Sequence, residues 1–162
     1  MSTGASHEGE RLDELAREQT VPALLAATAQ LLLDRLGAGA CTISRAIGDL
    51  LVDLVDHSPT GPIQAAHSYL ISDFPLTQRV LEDGTPERVW VGDASADPRE
   101  AALMRRLGFD SLLMMRIQSG PTTWGLVEVY DNREGGFTAA DLAGAQRIVD
   151  GASRELTRLS AR

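Results

Sequence analysis

WGLVEVYDNREGGFTAAD, residues 124–141, is the stretch whose reading decides the fold of this chain. Its first half is a buried strand, in which Leu126, Glu128 and Tyr130 alternate with Val127 and Val129. Asn132 and Arg133 end the strand, Gly135 and Gly136 make a turn, and Phe137 precedes a helix start. Thr138 is placed to cap the free amides near Asp141, three residues on. From there Leu142, Ala145, Val149, Ala152, Leu156 and Leu159 recur at alternating spacings of three and four. That seam suits either a short coiled coil or a helix packed on its own sheet.

Toward the N-terminus, residues 111–117 form a second convincing strand, joined to the first by a turn through Ser119, Gly120 and Pro121. Asp97, Pro98 and Glu100 mark a helix start that runs to Gly108: aspartate caps, proline suits the first turn, and glutamate reaches back to the cap. A short helix opens at Pro75, turns Leu76, Val80 and Leu81 inward and closes at Gly84. Residues 89–91 make a short strand around Trp90. The apolar segments 40–47 and 50–55, separated by Gly48 and Asp49, predict a hairpin. Pro59, Gly61 and Pro62 make 58–66 a loop, and 67–72 reads as another short strand. After Pro22, Leu25, Ala29, Leu32 and Leu36 form one apolar stripe, widened by Leu24 and Leu31 and stopped by Gly37 and Gly39. This order predicts an α+β sandwich: an antiparallel sheet of about six strands, terminal helices together on one face and short helices over the other.

With 162 residues, 43% of them hydrophobic, the chain is expected to be one domain over 10–162 behind a disordered tail at 1–9. Its net charge of −8 disfavours a nucleic-acid partner. Every basic side chain except histidine is an arginine, and the densest cluster is Arg105 with Arg106, a solvated helix face. Cys41 is the sole cysteine, which excludes a disulfide framework and a multi-cysteine zinc site. No signal peptide is evident and no apolar run approaches the roughly 18 residues of a membrane span, so a cytoplasmic protein without a membrane partner is expected.

The element order, together with DFPLTQRVLEDGTP at 73–86, DASADPREAALMRRLG at 93–108, SLLMMRI at 111–117 and the opening segment, resembles the GAF domain family from about Pro22 to Leu159. The opening segment also resembles the signature of cyclic-nucleotide-regulated members, which runs Asn-Lys, a gap, Phe, three residues, then Asp-Glu. Asn132, Arg133, Phe137 and Asp141 fit that order, with arginine for lysine and Leu142 for glutamate. In the family the signature is chiefly a structural tie, so these four residues are expected to latch sheet to final helix, with Arg133 paired to Asp141.

The resemblance places a ligand cavity between sheet and short helices. Tyr69, Phe74, Arg79, Trp90, Met104, Phe109 and Ser111 are the side chains those elements offer, a set suited to a small planar or amphipathic molecule. Arg79, if it points inward, favours an anion. Bilin-binding relatives use a cysteine thioether; Cys41 lies in the first strand, and no covalent bilin is expected. Haem-binding relatives need a histidine in the region corresponding to 93–109, which has none, and His67 reads as a loop or strand-edge side chain. One cysteine cannot serve the family's several-cysteine reduction of methionine sulfoxide. Glu128 is expected to pair with Arg45 or Arg116 across the sheet, and catalysis is not expected.

The expected function is small-molecule sensing in signal transduction. Its ligand is unidentified, and its output passes through the terminal helices or to a separate signalling partner. A homodimer through the terminal helices is expected, with Leu142, Val149, Leu156 and Leu159 on the dimer face of the last one. The alternative is a ligand-free dimerisation or protein-interaction module with the same fold.

Overall fold

A computed structural model of the chain describes residues 9, 11–63 and 68–162. A helical run at 11–15 leads into α1 (Val21–Leu36), β1 (Ala40–Ile47), β2 (Leu50–His57), β3 (Ser68–Leu70) and a 3-10 turn at Ile71–Asp73. Then follow α2 (Pro75–Asp83), β4 (Glu87–Trp90), α3 (Pro98–Leu107), β5 (Ser111–Ser119), β6 (Thr122–Asp131) and α4 (Ala139–Ser160). The strands form one six-stranded antiparallel sheet in the order β3-β2-β1-β6-β5-β4.

Two hairpins, β1–β2 and β5–β6, meet at the centre through β1 and β6, with Ile43 opposite Val127 and Arg45 opposite Gly125. Gly125 is obligatory there: a Cβ would land on the Ser44 carbonyl oxygen of the neighbouring strand. The central strands are buried on both faces, which is why β5 reads as a nearly continuous apolar run.

The two faces build separate cores. Cys41, Ile43, Leu113, Met115, Ile117, Val127 and Val129 pack beneath α1 and α4. Ala40, Leu51, Leu112, Met114, Leu126 and Tyr130 pack beneath α2 and α3, with Leu76, Val80 and Met104. The helix ends follow local chemistry. Thr20 accepts from the Ala23 amide at 3.3 Å at the start of α1, and Gly37, at φ 60°, ends it. Thr138 and Asp141 form a reciprocal capping box on α4.

Two expectations change. The strand predicted over 67–72 ends early, at Leu70, because Asp49 in the β1–β2 turn takes over the next backbone amides: its carbonyl accepts from Ile71 at 2.8 Å and its carboxylate from Ser72 at 2.9 Å. His67 and most of the predicted N-terminal tail lie outside the described residues.

Along α4 the apolar stripe faces the sheet and α1. Val149 and Leu156 are wholly buried and Leu159 nearly so, packed against α1 and β5 within the same chain, with Leu142 at the margin of that core. Gly144, Ala145, Gly151 and Ala152 are also buried along this stripe, and Leu12 and Leu15 of the N-terminal helical run come against Gly151. The second change, the partners of Glu128 and Glu100, belongs to the site.

Candidate functional site

Side chains that alternate along β6 carry Glu128 and Tyr130 to the face under the short helices, on the same side as Leu126. Asp53 of β2, Tyr69 of β3, Phe74 ahead of α2, and Leu103 and Arg106 of α3 converge on the same place. With Glu128 and Tyr130 they line a cavity of about 80 Å³. Tyr69 and Phe74 meet edge to face, with ring centroids 5.1 Å apart.

Glu128 is 2% exposed. Its Oε1 accepts from the Tyr69 hydroxyl at 3.1 Å, and its Oε2 from the Tyr130 hydroxyl at 2.8 Å. Burial pushes its carboxyl up to about 8; Glu100 adds to the rise, and the two tyrosine hydrogen bonds oppose it. The tyrosine hydroxyls are themselves held well above their usual range by burial and by Glu128, so they remain donors.

Glu128 was expected to pair with Arg45 or Arg116, and neither reaches it. Thr42 stands opposite Glu128, which puts Arg45, three residues on, on the other face. There Arg45 donates to the Trp124 carbonyl at 2.7 Å and lies over the Trp124 ring. Arg116 is drawn to the end of α2, donating to the Leu81 and Glu82 carbonyls at 3.3 Å.

Glu100 likewise does not return to its helix cap. Asp97 alone accepts from the Arg99 and Glu100 amides, and the Glu100 side chain turns beneath α3 to accept from the Thr77 hydroxyl at 2.6 Å. It is 1% exposed, and burial pushes it up to about 7 against the pull of that hydrogen bond. Asp53 accepts from the Ser44 hydroxyl at 2.7 Å. The site is therefore a buried acidic pocket furnished with hydroxyl donors.

Of the side chains the sequence nominated, Tyr69 and Phe74 line the cavity. Met104 is wholly buried in the adjoining core, and Phe109 stacks on Tyr130 at 5.5 Å. Arg79 points outward, more than half exposed, to an ion pair with Glu87 at 3.2 Å. Trp90 borders open surface grooves, and Ser111 donates to Asp110 at 2.6 Å and to the Arg133 carbonyl. Sequence reading passed over Asp53, Leu103, Arg106 and Tyr130. The period-two pattern that placed Glu128 beside Tyr130 was the signal for the last of these.

Just past Tyr130, the residues expected to form a latch come together. Arg133 donates to Asp131 at 2.7 Å, to Asp141 at 3.4 Å and to the Leu36 carbonyl at 2.9 Å, with its guanidinium 4.3 Å from the centre of the buried Phe137 ring. One side chain thus joins the end of β6, the end of α1 and the start of α4. Asn132 accepts from the Asp110 amide at 2.9 Å and donates to the Gly108 carbonyl at 3.1 Å, fastening the end of α3. Among the described residues no group of three or more His, Cys, Asp or Glu side chains is arranged to hold a metal ion, and no helix is long and apolar enough to cross a membrane.

Comparison with solved structures finds the same fold at low identity. The phycocyanobilin-bound GAF domain from a cyanobacterial phytochrome is similar at a TM-score of 0.80 and 14% identity, over 95% of this chain and 96% of that one. The phycoerythrobilin-bound GAF domain from a cyanobacterial phytochrome gives 0.81 at 13% identity, over 97% and 98%. The chromophore-binding domain of an unusual bacteriophytochrome from R. palustris gives 0.83 at 11% identity, over 99% of this chain and 64% of that one. No curated protein matches the chain. The family model described as GAF domain matches residues 20–156, from the cap of α1 to the last turns of α4, and the chain belongs to that family.

Proposed function

We propose that this domain is a regulatory sensor in signal transduction: a small molecule enters the cavity between the sheet and the short helices, and its occupancy is passed to α1 and α4. The observation that carries the reading is Glu128, a carboxyl buried to 2% exposure in the wall of a cavity, with two tyrosine hydroxyls as its hydrogen-bond partners. Burying such a group is costly, and a strand that served packing alone would be served better by an apolar residue.

The route outward is short. Tyr130 lines the cavity, Asp131 follows it, and Arg133 grips Asp131 together with the end of α1 and the start of α4. A ligand that binds one arrangement of these contacts better than another shifts the terminal helices by that difference in affinity.

The cavity, at about 80 Å³, lies below the roughly 300–1,000 Å³ of most small-molecule pockets, which favours a ligand much smaller than a tetrapyrrole. Cys41 is wholly buried on the opposite face of the sheet, and burial pushes its thiol far above the usual range, which argues against both a thioether to a group in the cavity and a catalytic thiolate.

The ring contacts of Tyr69 with Phe74 and Phe109 with Tyr130 fill much of this side of the domain, and they favour a second reading as a ligand-free interaction module. Thermal-shift measurements against nucleotides, amino acids, amines and small anions, with native mass spectrometry for any retained ligand, separate the two. The sensor reading expects a raised melting temperature with one class. Absence of any shift or retained mass leaves the interaction module.

A further inference from the structure

We propose that the cavity selects a small organic cation, a primary ammonium or guanidinium head group seated against Glu128. The proposal rests on the sensor reading and gives it a ligand class. Three independent properties of the cavity point the same way: its size, its donor and acceptor balance, and its walls.

Size restricts the occupant. An apolar cavity of roughly 150 Å³ accommodates benzene. At about 80 Å³, this one takes a head group of a few heavy atoms.

The polar atoms want a donor. The Tyr69 and Tyr130 hydroxyls already give their hydrogens to Glu128, one to each oxygen. A carboxylate can accept about four hydrogen bonds, so acceptor capacity on Glu128 remains after both are counted. Asp53 brings a second carboxyl group to the wall, where it accepts from the Ser44 hydroxyl, and Glu100 lies close enough to act electrostatically on Glu128. Among the described residues the one cation in the wall is Arg106, an exposed residue on α3. An anion seated there would meet the carboxyls of Glu128 and Asp53, with only the exposed Arg106 among the described lining residues to balance its charge.

The walls suit a cation as well. Tyr69, Phe74 and Tyr130 surround the space with aromatic rings, whose faces attract ammonium and guanidinium groups, most strongly where water is excluded. Among the described residues, the titratable groups around Glu128 are Tyr69 of β3, Tyr130 of β6, Asp53 of β2, and Glu100 and Arg106 of α3. With Glu128 pushed up to about 8, entry of a cation displaces a proton from the carboxyl, and binding tightens as pH rises toward that value.

The test is an NMR chemical-shift titration of the whole domain, to millimolar concentration, with methylguanidinium, propylammonium, propanol and propionate. The cations are expected to perturb Tyr69 and Tyr130, with methylguanidinium affinity rising about tenfold from pH 6 to 7, as release of one proton requires. Glu128→Gln keeps the side-chain shape and is expected to weaken cation binding at least tenfold while its circular dichroism remains that of the folded domain. Equal cation affinity in the folded variant overturns the proposal. Preference for propionate or propanol at these residues overturns the cation class and leaves the sensor reading standing. Silence from every probe counts against both.

Discussion

Tyr130 donates a 2.8 Å hydrogen bond to Glu128, two residues back on the same face of β6, so one strand supplies both the buried acid and one of its two donors. Tyr69 brings the second donor from the edge strand β3. The network reaches from edge strand β3 across β2 and β1 to β6, four of the six strands, so its formation depends on both central hairpin strands being in place.

This burial makes stability depend on pH. Glu128 at about 8 and Glu100 at about 7 both stand above the roughly 4.3 of an unfolded glutamate. The folded state therefore binds protons more tightly than the unfolded one. Their stabilising contribution is fully present below the unfolded value and is lost as pH rises through the folded values. Urea unfolding is expected to show stability falling between about pH 4.5 and 8 from these two groups, which titrate as an interacting pair. Glu128→Gln should flatten the profile and, at pH 8, exceed the wild type by on the order of 2 kcal/mol. A profile equally steep in the variant would contradict the assignment.

Arg133→Ala removes the hydrogen bonds to Asp131, Asp141 and the Leu36 carbonyl together with the contact over Phe137. The side chain keeps about a quarter of its exposure, so solvent screens the ion pairs, and the expected loss is about 1–3 kcal/mol. Arg133→Lys retains the charge but cannot reach three partners with a planar fork, and should recover only part. Hydrogen exchange should localise the effect to the last turn of α1 and the first of α4. A uniform change across the domain would mean that Arg133 acts elsewhere.

The scaffold was legible where local chemistry and pattern agree. Thr138 with Asp141, Asp97 with Pro98, and Gly48 with Asp49 each fixed an element end by short-range hydrogen bonding or backbone freedom, and each element is where they put it. The site was harder to read because its residues are chosen by three-dimensional competition. Glu100 has the spacing of a capping box, yet Thr77 lies 23 positions away and captures it. Arg79 and Arg106 are both arginines on short helices, and the neighbouring Glu87 draws the first outward while helix orientation turns the second to the cavity wall. Glu128 had plausible arginine partners in both adjacent strands, and register with the demand of a helix end removed them.

Gly125→Ala tests the centre of the sheet. The added methyl meets backbone rather than a movable side chain, since the Ser44 carbonyl belongs to the strand that pairs with β6. Either β1 and β6 separate locally or the register slips, and both disrupt the pairing that joins the hairpins. The expected cost is more than about 3 kcal/mol, at the severe end for a single substitution. Gly120→Ala is the control for glycine loss at an open turn: nothing lies near its Cβ position, so its cost comes from the positive φ of 58° alone and should be about 1–2 kcal/mol. Equal stability of the two variants in urea would rule out the close approach.

Leu156→Ala decides what the stripe on α4 is for. If the stripe serves the domain's own core, the truncation leaves a cavity against α1 and costs about 2–5 kcal/mol, as for other buried leucines. That cost is independent of protein concentration, because Leu156 is wholly buried within one chain. If the stripe instead closes a dimer, stability depends on concentration and the substitution changes that dependence. Thermal melts of wild type and variant across a hundredfold range of protein concentration distinguish the cases. The burial of Val149, Ala152 and Leu156 in a single copy leads to the first outcome: parallel curves, displaced downward in the variant, and no shift with dilution in either.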